Sequence, residues 1–229
     1  MPGGWRSEDS ARSARQASHV GRDGYEVPHR LLTLIAPPLC GICGEGCGSA
    51  EPICDACADA IASSSPQPLA IPGVDHAWAA APYSGVPRQL IGALKFGKRL
   101  PLADVAAEAI AARAGGSALA GTLIPVPADP WRRRIRGFDP AAEIARALAS
   151  RLGLRVSHCL VRRHSSRQVG KPRARRLAAR LDLRATSPPP AEAILLDDVV
   201  TTGATLSACA SALRGAGCTR VLALAFARA

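Results

Sequence analysis

AILLDDVVTTGAT, residues 193–205, sets two carboxylates at the end of an apolar run and follows them at once with hydroxyls and a glycine. The run AILL reads as a buried strand ending at Asp197, and residues 204–214 read as a helix stopped by Gly215 or Gly217. The loop Val199 to Thr205 then lies at the carboxyl end of a strand and at a helix N-terminus. Ligands of open α/β sheets bind at such strand ends. Backbone N–H groups there make an anion site, and Gly203 lets the backbone come close. Thr201, Thr202 and Thr205 add hydroxyl donors, with Ala204 between them. Asp197 and Asp198 would repel a phosphate in that cradle but would accept hydrogen bonds from its neighbour, a sugar with vicinal hydroxyls. A phosphorylated ribose meets both demands. A capped helix behind a solvated acidic turn explains Thr205 but not two adjacent acids at a strand end.

Residues 74–83 and 122–127 suit strands, and residues 220–227 suit a fully buried one. Helices are expected over 86–97, over 101–114, and after Asp139 as N-cap with Pro140 at N1, where Ile144, Leu148 and Leu152 share a face. Strands alternating with helices predict a mostly parallel sheet flanked by helices. The domain plan is an N-terminal extension over 1–30, a four-cysteine module over 31–62, a Ser/Pro linker over 63–73 and an α/β domain over 74–229. Residues 1–30, rich in Arg, Ser and Gly, are expected to be disordered or to follow from a start codon placed too early.

The module rests on Cys40-x2-Cys43 and Cys54-x2-Cys57, two knuckles ten residues apart with Cys47 between them. Such pairs signal a structural zinc site, here in a small zinc-ribbon-like module. A reduced, metal-free cluster or a redox pair is the alternative. Cys47 either replaces one ligand or is a spare thiol. Cys159, Cys209 and Cys218 read as small core residues.

The chain has 229 residues, 48% hydrophobic but only 3% aromatic, and a formal net charge of +11. No apolar stretch approaches the roughly 18 residues of a membrane span, and the N-terminal segment lacks the apolar core of a signal peptide. A cytoplasmic location is expected, where thiols stay reduced. The positive charge is concentrated: residues 131–184 hold sixteen Lys/Arg against three acids, a net of +13. Arg132, Arg133, Arg134 and Arg136 follow a strand, and Arg173, Arg175 and Arg176 lie in a second basic segment. Arginines clamping a diphosphate and arginines tracking a nucleic-acid backbone are both open readings, beside that of a solvated helix face. A diphosphate needs two or three cations, so the surplus favours nucleic acid, such as single-stranded DNA, for part of the patch.

These residues resemble a known family. ILLDDVVTTGAT looks like the phosphoribosyl-pyrophosphate (PRPP) motif of type I phosphoribosyltransferases. Together with the CxxC pairs, YSGVPRQLIGALKFGKR and IPVPADPWRRRIRGFDPAAEIARALA, it resembles the ComF family (ComFC/GntX-like) over about residues 31–229. The resemblance implies a type I phosphoribosyltransferase-like fold, Asp197 and Asp198 on the ribose hydroxyls, Thr201 to Thr205 on the 5′-phosphate, and diphosphate contacts in the loop after Pro127. It implies magnesium held mainly by the ligand's own oxygens, and a role in nucleotide metabolism or in DNA uptake during competence, with a competence helicase among the partners. The family's R-G-F-N-Q-A appears here as Arg136-Gly137-Phe138-Asp139-Pro140-Ala141, and the closing Asn of a later R-x-x-N element is Ala179. No nucleobase-binding hood and no general base stand out, so the acceptor of a transferase reaction is not legible.

Overall fold

Two strands dominate the molecule because their residues are apolar on both faces. A computed structural model of the chain describes residues 38–48, 51–114, 119–163 and 182–229, all within a compact unit, Pro37–Ala229. Residues 1–30 lie outside the described residues, as do Arg173, Arg175 and Arg176. In chain order the elements are α1 (Asp55–Ala62), β1 (Gln67–Leu69), β2 (His76–Pro82), α2 (Gly85–Gly97), α3 (Leu102–Arg113) and β3 (Thr122–Pro125). Then come α4 (Pro130–Arg136), α5 (Pro140–Leu152), β4 (Arg155–Val156), β5 (Leu160–Arg163), β6 (Asp182–Ala185), β7 (Glu192–Val200), α6 (Ala204–Gly215) and β8 (Arg220–Arg228).

Six strands form one sheet in the order β1-β2-β8-β7-β3-β4, and β5 pairs with β6 apart from it. The β2–β8, β8–β7, β7–β3 and β3–β4 pairs are parallel, and only β1 runs antiparallel, along β2. This is the expected α/β class: a mostly parallel sheet flanked by helices, with a small cysteine module before it. The central strands read as near-continuous apolar runs because both of their faces are covered.

Strand alternation sorts the core into two layers. Ile194 and Leu196 of β7 join Leu224 and Phe226 of β8 under α2, α3 and α5, through Leu90, Leu94, Ile110, Ile144 and Leu148. Ala193 and Leu195 point the other way, towards Leu206, Cys209 and Leu213 of α6 and towards Leu160 and Leu183 of β5 and β6. Cys159, Cys209 and Cys218 are buried, as read from the sequence. Leu152 departs from the expected apolar face: Ile144 and Leu148 are fully buried, whereas Leu152 is exposed at the helix end.

Three segments differ from the sequence reading. Strand β7 does not end at Asp197. Its β-branched Val199 and Val200 stay in register with Ala227 and Arg228 of β8, so both acids lie within the strand. Residues 63–73 are more than a connection, because Gln67–Leu69 pairs with Ala77–Ala79 as an edge strand, the position a Pro-containing strand tolerates. The arginine stretch after β3 is a short helix rather than a loop. Asp129 caps α4 by accepting from the Trp131 and Arg132 N–H groups, Pro130 sits in the first turn, and Gly137 ends it in the left-handed region.

The cysteine segment packs onto this body. Cys40, Ile53, Cys57 and Ile61 belong to the same core layer as α2 and α3. Arg113 at the end of α3 donates to the carbonyls of Ile61, Ala62 and Ser64 at the end of α1.

Candidate functional sites

The first candidate site is the turn from β7 into α6. Neighbours in a strand face opposite sides of the sheet, and the two acids do so. Asp197 lines a concavity with Val199 to Leu206, which includes Thr201, Thr202, Gly203, Ala204 and Thr205. Its charge also reaches the Cys209 thiol of α6, which is pushed up first by burial and then by Asp197. Asp198 faces the α2 layer, where its Oδ1 accepts a hydrogen bond from Lys95 Nζ at 2.7 Å. Beside the pair, the Asp198 N–H donates to Asp197 Oδ1 at 2.9 Å.

Gly203 makes the turn possible. It caps α6 with φ at 73°, a left-handed conformation that side chains resist, and an added Cβ would lie 3.1 Å from Ile71 Cγ1. The Ser207 N–H already donates to the Gly203 carbonyl at 2.9 Å. The N–H groups ahead of it belong to the first turn, where a helix has no internal acceptors to offer and the dipole favours an anion. The Thr202 hydroxyl accepts from the Ala204 N–H at 3.4 Å, so it already sits against this turn.

Three carboxylates crowd the strand end. Burial and then the charge of Asp198 raise Asp197, against the opposing Asp198 N–H and Lys95, to about 8. Asp139 is raised too, chiefly by burial, with the Ala128 N–H opposing and Asp198 adding to the rise. Asp139 is the expected N-cap of α5, accepting from the Ala141 N–H at 3.1 Å, and its other oxygen accepts from the Ala128 N–H at 3.0 Å. It therefore ties the loop after β3 to α5.

The basic helix α4 has no buried residue. Trp131 is 64% and Ile135 66% exposed, and Phe96 of α2 is 80% exposed. The Arg136 guanidinium lies 5.8 Å from the Phe96 ring centre, a cation–π contact. On the helix, Trp131 neighbours Arg134 and Ile135, and Arg132 neighbours Ile135 and Arg136.

The second site is the cysteine cluster. The sulfurs of Cys40, Cys43, Cys54 and Cys57 all lie within 4.8 Å of one another, and those of Cys43 and Cys54 are 3.6 Å apart. A zinc ion about 2.3 Å from each of four thiolates at tetrahedral corners separates them by about 3.8 Å. The donor set therefore fits zinc, and all four cysteines are free thiols: the 3.6 Å between Cys43 and Cys54 is far beyond the roughly 2.05 Å of a disulfide. The knuckle folds because the Gly41 N–H donates to Pro52 O and the Gly44 N–H to Cys40 O. A Cβ on Gly41 would meet that Pro52 oxygen at 2.9 Å. Burial raises the Cys40 thiol, but the N–H groups of Cys43, Cys54 and Ile42 outweigh it and bring it to about 6. Burial, then the neighbouring thiols, raise Cys57. Cys47 stands outside the cluster, its thiol donating to the Glu51 carbonyl at 3.4 Å.

Sequence reasoning missed two members of the first site. Lys95 comes from a residue 103 positions away from its partner, and only the packing of α2 brings it there. Asp139 was visible as a helix cap but not as a neighbour of the acid pair. The signal for Phe96 was equally faint, since it sits far from the arginines in sequence.

No family model and no curated protein matches the chain. Among solved structures it is similar to a glutamine PRPP amidotransferase from B. subtilis complexed with ADP and GMP, at 19% identity and a TM-score of 0.36, over 54% of this chain and 25% of that one. It is also similar to a structure of the allosteric regulatory enzyme of purine biosynthesis, at 20% identity and a TM-score of 0.36, over 55% and 26% of the two chains. The chain thus spans about a quarter of the length of the structures it matches. No helix among the described residues is long and apolar enough to cross a membrane.

Proposed function

We propose that the protein is a ComF-type, type I phosphoribosyltransferase-like protein that binds PRPP with magnesium at the β7–α6 turn. One observation carries the reading: Asp197 and the Thr201 to Thr205 turn line a single concavity at the carboxyl end of a central parallel strand. The first-turn N–H groups and threonine hydroxyls take the 5′-phosphate, and Asp197, with Asp198 beside it, takes the ribose hydroxyls. Arg132, Arg133, Arg134 and Arg136 on α4, after β3, supply cations for the diphosphate.

Magnesium prefers oxygen ligands and keeps several of its waters. Among the described residues only the four cysteines gather as a ligand cluster, so the ion fits as one carried by the ligand's diphosphate. Bound there, it would neutralise charge on the departing diphosphate. The protein's own contribution is positioning: carboxylates fix the ribose, the turn fixes its phosphate, and arginines stabilise charge that grows as the bond at the anomeric carbon loosens. DNA uptake or nucleotide metabolism is the setting the family resemblance suggests.

A screen of isotope-labelled PRPP against nucleobase and amine acceptors tests transfer. Release of labelled diphosphate that depends on an acceptor supports an enzyme. A rise in melting temperature with PRPP and magnesium, without turnover, supports a binding protein. No response of either kind contradicts the reading.

A second reading, binding of single-stranded nucleic acid, is favoured by the exposure of Trp131 and Phe96 beside arginines, since bases stack on aromatic faces next to cations. Each phosphate contact to a single strand contributes about −0.7 to the slope of log affinity against log salt. Replacing Arg132, Arg133, Arg134 and Arg136 by Ala is expected to flatten that slope by up to about 3 units. An unchanged slope in a fluorescence titration with labelled single-stranded DNA contradicts this reading.

A further inference from the structure

Lys95 occupies a position that the phosphoribosyl reading leaves without a task. It lies in the last turn of α2, whose Pro87, Leu90, Ile91 and Leu94 are buried, so the helix is anchored and the lysine stem has a fixed origin. Its ammonium meets Asp198 Oδ1 at 2.7 Å, with side-chain exposures of only 19% and 12%. The next residue, Phe96, carries the guanidinium of Arg136. One turn of α2 therefore touches both the acid pair and the basic helix.

Two facts make this contact more than a tie between helix and sheet. The acid pair stands beside a turn suited to an anion, and Asp139 adds a third carboxylate to the neighbourhood. A sugar phosphate approaching that cluster meets repulsion from Asp198 unless a cation offsets it. In addition, a carboxylate that must receive a hydroxyl has to be held in one rotamer, and a charge-assisted bond to one oxygen does that while leaving the other oxygen clear of the lysine. We infer that Lys95 is a positioning residue for ribose recognition: it holds Asp198 through Oδ1 so that Oδ2 can accept a ribose hydroxyl, and it offsets the charge of Asp198 beside a bound phosphate. The inference rests on the phosphoribosyl reading and specifies the site's ligand class as a phosphorylated sugar with free vicinal hydroxyls.

The test compares two probes on the full-length protein by titration calorimetry: ribose 5-phosphate, and tetrahydrofurfuryl phosphate, which keeps the ring and phosphate but has no hydroxyls. Hydrogen bonds to a charged acceptor are expected to give the wild type a preference for ribose 5-phosphate of about tenfold or more. Lys95→Met is expected to reduce that preference to about twofold or less, with a smaller loss of affinity for the hydroxyl-free probe. Lys95→Arg, which keeps charge and donor, is expected to retain most of it. Lys95→Gln provides a second neutral variant if the methionine protein does not fold. A preference that survives in the neutral variants, or an equal loss for both probes, overturns the role of Lys95 alone. A wild type without any preference, or without binding, overturns the phosphoribosyl reading and the role of Lys95 with it.

Discussion

Stripping zinc from the protein, or replacing Cys57 by Ser, is expected to open residues 38–62 to protease and to lower the cooperativity of thermal unfolding. The size of the effect follows from the packing. Cys40, Ile53, Cys57 and Ile61 lie in the same core layer as Leu90, Leu94 and Leu102, so loss of the four-thiol centre uncovers α2 and α3 as well as the knuckles. Structural zinc in comparable small sites contributes about 10–16 kcal/mol of apparent binding free energy at neutral pH. Binding requires thiolates, so affinity falls as pH falls. The rise at Cys57 makes that thiol a costly one to deprotonate, while the three N–H groups around Cys40 favour its charged form. Elemental analysis of protein purified without chelator is expected to give about one zinc per chain. A value near zero contradicts the assignment. Cys47→Ser is expected to leave the metal content unchanged, because its thiol bonds to the Glu51 carbonyl instead.

The second large effect concerns Asp197, where binding and stability oppose one another. Its folded-state pKa is raised, by burial first and by Asp198 next, to about 8. Between the ordinary carboxylate range and that value, the folded protein keeps a proton that the unfolded chain has released. Stability therefore falls as pH rises through this window, and below it the contribution vanishes. Asp197→Asn removes the penalty. It is expected to raise the melting temperature of the ligand-free protein at pH 8 by about 2–8 °C, corresponding to about 1–2 kcal/mol for a chain of this size. At pH 4 it is expected to change it little. The same variant is expected to lose the stabilisation by PRPP with magnesium. A melting temperature at pH 8 equal to or below that of the wild type contradicts this account of the strand end.

The sheet was legible because its central strands carry apolar runs bounded by turn residues. AILL and VLALAFA leave few alternatives to buried parallel strands, and Asp139-Pro140 and Gly153 mark both ends of α5. The end of β7 was harder. Two acids look like the start of a loop, but Val199 and Val200 hold the pairing with β8 for three further residues. Asp129-Pro130 carried the same start signal as Asp139-Pro140, yet the arginines after it drew the reading towards a loop. The turn proposed to cradle the phosphate could be picked out locally because it is continuous in sequence. Its counter-charge could not, since Lys95 reaches Asp198 only once α2 has packed on the sheet. The aromatic surface beside the arginines was hidden for the same reason, with Phe96 contributed by one helix and Arg136 by another.

In the proposed function, the β7–α6 turn holds a phosphoribosyl ligand through Asp197 and Asp198. Titration calorimetry with PRPP and magnesium at neutral pH tests it most directly. One saturable site per chain is predicted for the wild type. In the Asp197→Asn, Asp198→Asn double variant, affinity is predicted to fall by about tenfold to a hundredfold, as expected for two lost hydrogen bonds of which one, at Asp197, is to a carboxyl group that keeps its proton at neutral pH. No binding by the wild type, or wild-type affinity in a folded double variant, would contradict the assignment.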